Sequence, residues 1–438
     1  MNRNRAAFAA HRTLAAALAV AALCASCAAA AADAPLTLAE AQRRAVERSR
    51  QLAAQDAAVA ASRDMAIAAA QLPDPVATVA VNNLPVDGPD AWSTTRDFMT
   101  MRSIGLMQEW TREEKRRARA ERFDREADKG VAERQARVAA IQRDTALAWL
   151  DRYYVEAQAG VLAEQHRRAR LEVDGAETAY RTGRGTLSDV LSARSALAML
   201  DDRASELDRR TATTRAALAR WIGDADGALA DLPPIDALPF DPRALDTELE
   251  HHPQVAALAR AEDVAAADVR VAQANKKADW SFQVMYSLRG SAYSNMISIG
   301  VSVPLQWDQA HRQDREVAAK LALLEQARAE REDMVRAHAA EVRVMIAEWE
   351  SGRERGARYA RELLPLAVER TEAVLGAYRS GKPGLADVLA ARRAEIDVRL
   401  QALQLEADTA RLWAQLGFLT PAGDASLGGS GAPARSAP

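Results

Sequence analysis

The sequence predicts a mainly α-helical fold with a small β portion. Three observations support this prediction: a helix-forming composition, an internal duplication, and two pairs of short segments in which apolar and polar residues alternate. The chain has 438 residues, of which 49% are hydrophobic and only 5% aromatic. Alanine dominates the apolar class, and arginine, glutamate and leucine are also abundant. Because most of these residues lose little side-chain freedom in a helix, the composition favours long helices over ordinary globular domains.

The duplication is clearest in two segments of thirteen residues. Residues 179–191 read AYRTGRGTLSDVL and residues 377–389 read AYRSGKPGLADVL, and they align without a gap. We therefore divide the chain into a first repeat and a second repeat joined by a linker rich in Asp, Gly and Pro. A tail of mostly Gly, Ala, Ser and Pro follows, which we expect to be disordered. These parts are the first repeat 37–225, the linker 226–241, the second repeat 242–420 and the tail 421–438.

Each repeat is predicted to contain the same elements in the same order. A first helix is followed by two short strands, a very long helix, a glycine-containing turn and a last helix. The first helix is expected over 38–71 and, in the second repeat, from about 245 to 277. The long helices are expected from about 112 to 180 and from about 309 to 378. At 1.5 Å per residue each long helix would span roughly 100 Å, which suits a protein that reaches across a compartment.

The strand pairs indicate a membrane protein. In 280–288 and 297–303 apolar residues occupy one face and small or polar residues the other, and 77–82 and 103–106 repeat the pattern less regularly. The longer segments approach the roughly ten residues that cross a bilayer as a tilted strand. Three tryptophans are expected at strand ends, where aromatic girdles lie in membrane barrels: Trp110, Trp280 and Trp307.

Four strands do not close a barrel. An open sheet edge in lipid would leave backbone groups unpaired, so the strands must continue in other copies of the chain. Three chains supply twelve strands, enough for a lumen wider than that of an eight-stranded barrel. The residues therefore predict duplicated long-helix hairpins joined to a membrane β-barrel of twelve strands, with four strands per chain. The alternative is a small soluble sheet that caps a helical bundle.

The N-terminus has the features of an export signal. Three arginines in the first twelve residues precede a short apolar run, 14–23, and small residues follow. We expect a signal peptide over 1–32. Both cysteines of the chain lie in this segment, and the sequence around Cys27 loosely resembles a lipobox. Lipidation of Cys27 is thus the alternative to ordinary cleavage within 28–32.

Several function classes are disfavoured. The formal net charge of −3 offers no basic field for nucleic acid. The sequence has no phosphate-binding glycine loop and no His-Glu-x-x-His pair, so we predict neither an enzyme nor a cofactor. The pair His251 and His252 directly precedes Pro253, which indicates the start of a helix rather than a metal site. We therefore predict no metal ligands.

The order of elements and the Tyr-x-x-Gly…Leu-x-Asp-Val-Leu turn in both repeats resemble the outer-membrane efflux protein family, also called TolC-like. The resemblance covers nearly the whole chain after the export signal. It implies a homotrimer whose barrel lies in outer-membrane lipid above a helical tunnel in the periplasm. It further implies docking of a periplasmic adaptor (a membrane fusion protein) and an inner-membrane RND-type pump. Such a protein is the outer-membrane channel of a tripartite efflux pump and conducts its cargo passively.

Three loop and strand-border motifs resemble the heavy-metal branch of that family, the cobalt-zinc-cadmium and copper-silver type. They are LPDP at 72–75, NLPVDG at 83–88 and DFMTMR at 97–102. This narrower resemblance implies heavy-metal cations as cargo. The alternatives are a TolC-like duct for drugs or for type I protein secretion, and a structural coiled-coil protein of the periplasm.

The resemblance also implies roles for the two hairpin turns. Asp387 matches an aspartate that narrows the closed periplasmic end of the tunnel, and Tyr378 and Asp189 match the tyrosine and aspartate of a gate latch. The arginine that the family places between them is replaced by Pro383. The alternative for both aspartates is capping of a helix N-terminus. Residues of the turns are expected to dock the adaptor: Arg181, Gly183, Arg184, Gly185, Arg379, Gly381, Lys382 and Gly384.

Overall fold

The computed structural model describes residues 35–238, 240, 252–380 and 384–418. The predicted signal peptide with Cys27 and the predicted disordered tail 421–438 lie outside the described residues. Gly381 and Lys382 of the second turn lie outside them too.

The described chain is mostly helical and contains one antiparallel sheet. In chain order the elements are α1 (Leu38–Arg48), α2 (Arg50–Ala69), β1 (Val76–Asn82), β2 (Met101–Trp110), α3 (Glu113–Arg181), α4 (Leu187–Ile222), α5 (Pro253–Asn275), β3 (Trp280–Leu288), β4 (Met296–Ser302), α6 (Gln313–Arg358), a π-helical segment (Tyr359–Leu363), α7 (Leu364–Arg379) and α8 (Leu385–Gly417).

Both repeats have the predicted order of helix, strand pair, long helix and last helix. The long helix of the first repeat, α3, is unbroken for 69 residues. The helix predicted over 38–71 is instead interrupted at Ser49, whose ψ of 114° is extended. The predicted start of the corresponding helix near residue 245 lies outside the described residues. None of the helices described combines the length and the apolar content needed to cross a membrane.

The long helix of the second repeat is not uniform, and this differs from the continuous helix predicted there. Tyr359–Leu363 is π-helical, and the Leu364 N–H donates to the carbonyl of Tyr359, five residues back. Pro365, one position later, has no N–H and does not make the hydrogen bond that a regular α-helix requires. The wider turn accommodates this missing donor. The matching position of the first repeat is Arg167, which keeps its N–H, and α3 stays regular.

The four strands form one sheet in the order β1-β2-β3-β4, with every neighbouring pair antiparallel. The register aligns apolar residues across all four strands. Ile104 lies between Val79 and Tyr286, and Val284 lies between Leu106 and Ile299. These side chains share one face, and all of them are exposed. Within the described residues β1 and β4 each have one edge without a partner strand.

The opposite face of the sheet carries small and polar residues. Ser103 and Ser287 face each other across β2 and β3, are buried, and have their Oγ atoms 2.9 Å apart. Asn82 donates to Ser103 Oγ at 3.0 Å. Trp110 and Trp280 are cross-strand neighbours at one end of the sheet, as predicted. Trp307 was expected at a strand end as well, but β4 stops at Ser302 and Trp307 is exposed in the following loop.

By internal packing the chain divides into two compact units, and each combines parts of both repeats. The first unit takes described residues of Met1–Ser49, Val138–Asp246 and Ala340–Pro438, and the second takes those of Arg50–Arg137 and Thr247–Ala339. The sheet belongs to the second unit and both hairpin turns belong to the first. The compact units are therefore not the sequence repeats.

The described part of the linker belongs to the first unit and is held there by hydrogen bonds. Leu36 and Leu229 form a short parallel bridge. Arg152, of which only 2% is exposed, donates to the carbonyl of Ala225 at 2.5 Å and to that of Gly227 at 2.8 Å. Buried carbonyl groups need hydrogen-bond donors, and this arginine supplies them. It thereby fixes the start of a segment that its composition identifies only as a linker.

Candidate functional site

The turn between α3 and α4 reverses the chain in five residues, 182–186. Gly183 has a φ of +72°, a left-handed conformation that favours glycine. A Cβ at Gly185 would lie 3.0 Å from Cβ of Ala179 and 3.3 Å from its backbone, so this glycine allows a close approach. The N–H groups of Arg184 and Gly185 both donate to the Ala179 carbonyl, at 2.9 and 3.0 Å. The geometry of the reversal thus requires both Gly183 and Gly185.

Asp189 and Thr186 form a reciprocal cap at the start of α4. The Asp189 N–H donates to Thr186 Oγ1 at 3.1 Å, and Asp189 Oδ2 accepts from the Thr186 N–H at 2.9 Å. The Thr186 hydroxyl also donates to Asp189 Oδ2, at 2.7 Å. That hydroxyl and then the Thr186 N–H hold the pKa of the Asp189 carboxyl below its ordinary value of 3.8. This geometry is the capping alternative stated for Asp189.

Asp387 makes a similar but smaller cap at the start of α8. Its Oδ2 accepts from the Gly384 N–H at 3.2 Å, and the carboxylate is exposed. The φ of Gly384, −77°, suits any residue, and a Cβ there would have room. Its neighbours Gly381 and Lys382 lie outside the described residues. The cap therefore uses the backbone of Gly384 and does not depend on its lack of a side chain.

Among the described hydrogen bonds, none joins the predicted latch residues Tyr378 and Asp189. Tyr378 packs against a buried cluster formed by α3, α4 and α8, which includes Val190 and Leu385. The described hydrogen bonds of the Asp189 side chain all go to Thr186. Of the predicted docking arginines, Arg181 donates to Thr178 Oγ1 and Arg184 donates to Thr182 Oγ1, both at 3.3 Å. Arg379 is exposed.

The two copies of the turn motif differ in burial, which the sequence did not indicate. In the first repeat Leu187 and Leu191 are 53% and 56% exposed. Their equivalents in the second repeat are Leu385, only 6% exposed, and Leu389, partly buried against the same cluster as Tyr378. The first turn therefore presents apolar side chains to its surroundings, whereas the second turn uses the same residue types as core.

A groove of about 1160 Å³ begins at these exposed leucines. It runs between α3, α4 and α8 within the first unit, and Leu187, Leu191 and Met199 form part of its apolar lining. We call it the tip groove. Arg168, Arg203, Arg392 and Arg393 also line it, against the acidic residues Glu172 and Asp202.

A row of partly buried charges, in which Glu395 is fully buried, lies at the tip groove. Arg392 donates to Glu172 at 3.3 Å and lies 3.7 Å from Glu395, which also accepts from Arg399 at 2.8 Å. Only 2% of Glu395 is exposed. Burial raises the pKa of Glu172, and Arg392 partly opposes that shift. The spacing of these residues along the chain does not reveal that α3 and α8 meet here.

The cap at Asp189 predicts a local stability effect. Thr186→Ala should destabilise the start of α4 by about 1 kcal/mol, because it removes an acceptor for one helix N–H group. Amide hydrogen exchange over residues 187–190 should accelerate accordingly. Folding lowers the Asp189 pKa, so the cap stabilises above pH 3.8 and is lost as pH falls through the folded-state pKa. The difference between variant and wild type should therefore shrink in acid.

Ser188→Ala is the matched control, since Ser188 is exposed and takes no part in the cap. Equal acceleration of exchange in both variants would contradict the capping role.

Comparison with known proteins gives a family match for part of the sequence and a similar fold in several solved structures. Residues 244–420 match the model of a family described as outer membrane efflux protein. No curated protein matches the chain.

Several solved channel structures are similar over most of the chain. The outer-membrane channel OprN is 20% identical with a TM-score of 0.72, over 87% of this chain and 89% of that one. CusC, a protein studied for folding and transmembrane channel formation, is 16% identical with a TM-score of 0.72, over 87% and 92%. The outer membrane protein VceC from Vibrio cholerae is 19% identical with a TM-score of 0.67, over 87% and 96%. The chain therefore has the fold of these channels, an α-helical portion joined to a four-stranded contribution to a β-barrel.

Proposed function

We propose that three copies of the chain form the outer-membrane channel of a tripartite efflux pump, which conducts its cargo passively from the periplasm to the exterior. The observation that carries this proposal is the sheet, which combines an exposed apolar face with two edges that lack a partner within the described residues. In lipid, unpaired backbone groups cost several kcal/mol each. Further copies of the chain supply the partners when β4 of one copy pairs with β1 of the next.

The helices next to the edge strands support the same assembly. α2 precedes β1 and α6 follows β4, so each helix is connected to one open edge. Both helices expose apolar side chains within the second unit, namely Met65 and Ile67 on α2 and Leu321, Leu323 and Met334 on α6. A neighbour that pairs with the strands also covers these helix faces. The rival interpretation, a soluble sheet, leaves the apolar face in water, where large exposed patches are rare.

In this proposal the barrel lies in the outer membrane and the helical part in the periplasm. The energy for export comes from an inner-membrane pump of the RND type, which a periplasmic adaptor links to the channel. The proposal assigns no enzymatic reaction and no cofactor to the chain. It rests on the fold shared with the channels named above and on the partial family match.

Two adjacent residues of β4 test the proposal. Ile299 lies on the apolar face opposite Val284, midway along β3, and Ser298 lies on the other face. Ile299→Arg would place a charge near the bilayer midplane at a cost of about 2–4 kcal/mol per chain. We expect this variant to lose the heat-resistant trimer on unboiled gels of outer-membrane fractions. Ser298→Arg places its charge on the opposite face, which faces the lumen of the proposed barrel. This variant should keep the heat-resistant trimer.

The outcome that contradicts the proposal is equal tolerance of both arginines. A wild-type chain that fractionates as a soluble monomer would contradict it as well.

We also propose that the adaptor docks at the turns and that the first turn supplies the apolar contact. Leu187, Leu191 and Tyr180 are exposed in the first repeat, and Arg181 and Arg184 lie beside them. An apolar patch with a polar rim is typical of a protein interface. Gly183 and Gly185, which were also predicted to dock the adaptor, shape the first turn. On the second turn we assign the docking role to Arg379, Gly381, Lys382 and Gly384.

Equivalent leucines of the two repeats provide a matched test. Leu187→Ser should weaken adaptor binding about tenfold, because it removes an apolar contact worth about 1.5 kcal/mol or more, and should leave the trimer intact. Leu385→Ser should instead destabilise the hairpin by about 2–4 kcal/mol, since that side chain is core. Copurification with the cognate adaptor and heat resistance of the trimer separate the two effects. Unchanged copurification of Leu187→Ser would contradict the assignment.

Asp387 is proposed to line the periplasmic entrance, with Tyr378 and Asp189 as supporting residues of the gate. An exposed carboxylate at the start of α8 supports this role for Asp387, because three copies around an axis would favour cations. Capping does not conflict with it, since Asp387 uses only Oδ2 for the Gly384 N–H. For Asp189 the reciprocal cap with Thr186 is the stronger assignment.

Heavy-metal cations are proposed as the cargo, on the resemblance of the three loop motifs to the heavy-metal branch. The alternatives are drugs and proteins exported by type I secretion. Deletion of the chain distinguishes them, since loss of tolerance to copper, zinc, cobalt or cadmium supports metal export. Normal metal tolerance with drug sensitivity or blocked secretion would contradict it.

A further inference from the structure

One of the loop motifs leaves an arginine that the fold itself does not use. In the motif at 97–102, Asp97 Oδ1 accepts from the N–H groups of Met99 and Thr100, at 2.7 and 3.2 Å. The buried Thr100 donates its hydroxyl to the carbonyl of Asn83 at 2.9 Å, and Asn83 Nδ2 donates to the Met99 carbonyl at 3.3 Å. These bonds close the loop between β1 and β2. Arg102, the last residue of the motif, takes part in none of them.

Arg102 lies on the apolar face of the sheet. Side chains alternate along β2, so Arg102 shares a face with Ile104 and Leu106. Its cross-strand neighbours are Val81 on β1 and Leu288 on β3, and all of these residues are exposed. The face thus changes from apolar to cationic at the end that carries the loop.

The position along the strand corresponds to a membrane boundary. Trp110 and Trp280 mark the other end of the same face, eight residues from Arg102 along β2. Eight residues at about 3.3 Å span about 26 Å. A barrel tilt of about 40° reduces this to roughly 20 Å, against an apolar band about 25 Å tall. The long arginine side chain covers the difference between the span of the strand and the height of the apolar band, because it extends toward the interface.

The cation has no counter-ion within the part of the chain that the structure describes. Its neighbours in space and sequence are engaged differently: Arg96 lies 3.7 Å from Asp90, and Arg289 donates to the Phe98 carbonyl and stacks over the Tyr293 ring. No described carboxylate lies within ion-pair distance of Arg102. A guanidinium at the edge of an apolar face is suited to a ligand that has an anionic head and an apolar body.

We propose that Arg102 binds the phosphate group of a membrane lipid at the loop end of the sheet. The acyl chains of that lipid extend from the headgroup along the apolar face of the sheet, beside Val81 and Leu288. This inference rests on the proposed function, because it requires the apolar face to contact lipid. Free inorganic phosphate has the same headgroup chemistry but gains no free energy from contact with the apolar face. Acyl chains do gain from that contact, so the lipid is the expected ligand.

The test uses the full-length trimer, stripped of lipid in detergent and examined by native mass spectrometry. The probes are dioleoyl phosphatidylglycerol and dioleoylglycerol, which have the same acyl chains and differ by the phosphate headgroup. Arg102→Gln should weaken phosphatidylglycerol binding about fivefold, as expected for one basic residue at a lipid surface, and leave dioleoylglycerol binding unchanged. Arg102→Lys should retain most of the affinity. Arg50→Gln, an exposed arginine at the start of α2, should match wild type with both lipids.

Three results would overturn the inference: equal phosphatidylglycerol binding by wild type and Arg102→Gln, equal binding of both lipids by wild type, or displacement of the lipid by millimolar inorganic phosphate. Unboiled gels of the same samples separate this failure from failure of the proposed function. If the trimer is intact, only the role of Arg102 fails. If the wild-type chain is monomeric and soluble, the channel proposal fails first.

Discussion

A four-stranded antiparallel sheet with two open edges places a strong constraint on its surroundings, because backbone N–H and carbonyl groups demand partners wherever water is excluded. In this chain the apolar face of the sheet is exposed from Val79 across to Ile299. An apolar face of this kind favours contact with a non-aqueous surface over contact with water. In the proposed trimer, strands of neighbouring copies pair with the open edges, and lipid covers the apolar face. The exposed faces of α2 and α6, next to the edge strands, fit the same solution.

Duplication supplies two similar hairpins, and the fold gives them different environments. The second-repeat turn places Leu385 and Tyr378 against a shared apolar cluster, while the first-repeat turn leaves Leu187 exposed. The long helices diverge as well, since Pro365 imposes a π-helical segment where the first repeat has Arg167. Proline at this position thus accompanies altered hydrogen bonding in one helix, whereas its counterpart, which has an arginine there, stays regular.

Buried and partly buried polar side chains connect segments that look independent in the sequence. Arg152 donates to the carbonyls of Ala225 and Gly227, and thereby fastens the linker to the helix that carries the arginine. Arg392 bridges Glu172 on α3 and Glu395 on α8. Such groups are costly to bury without partners, so each bridge favours one arrangement of the helices over its alternatives.

Local patterns were enough to predict the order of the elements, because helix and strand periodicities, proline and glycine act over a few residues. The alternation in 280–288, the repeated turn motif and the helical composition therefore determined the fold class and the approximate positions of the elements. Capping of α4 by Asp189 was also readable from neighbouring residues, as one of two alternatives. Tertiary structure decided what depends on distant contacts. It decided which copy of the turn motif is core, that Glu395 is buried, that the linker is packed, and that the compact units cut across the repeats. Burial depends on which side chains meet across space, and the two similar sequence motifs do not record their different neighbours.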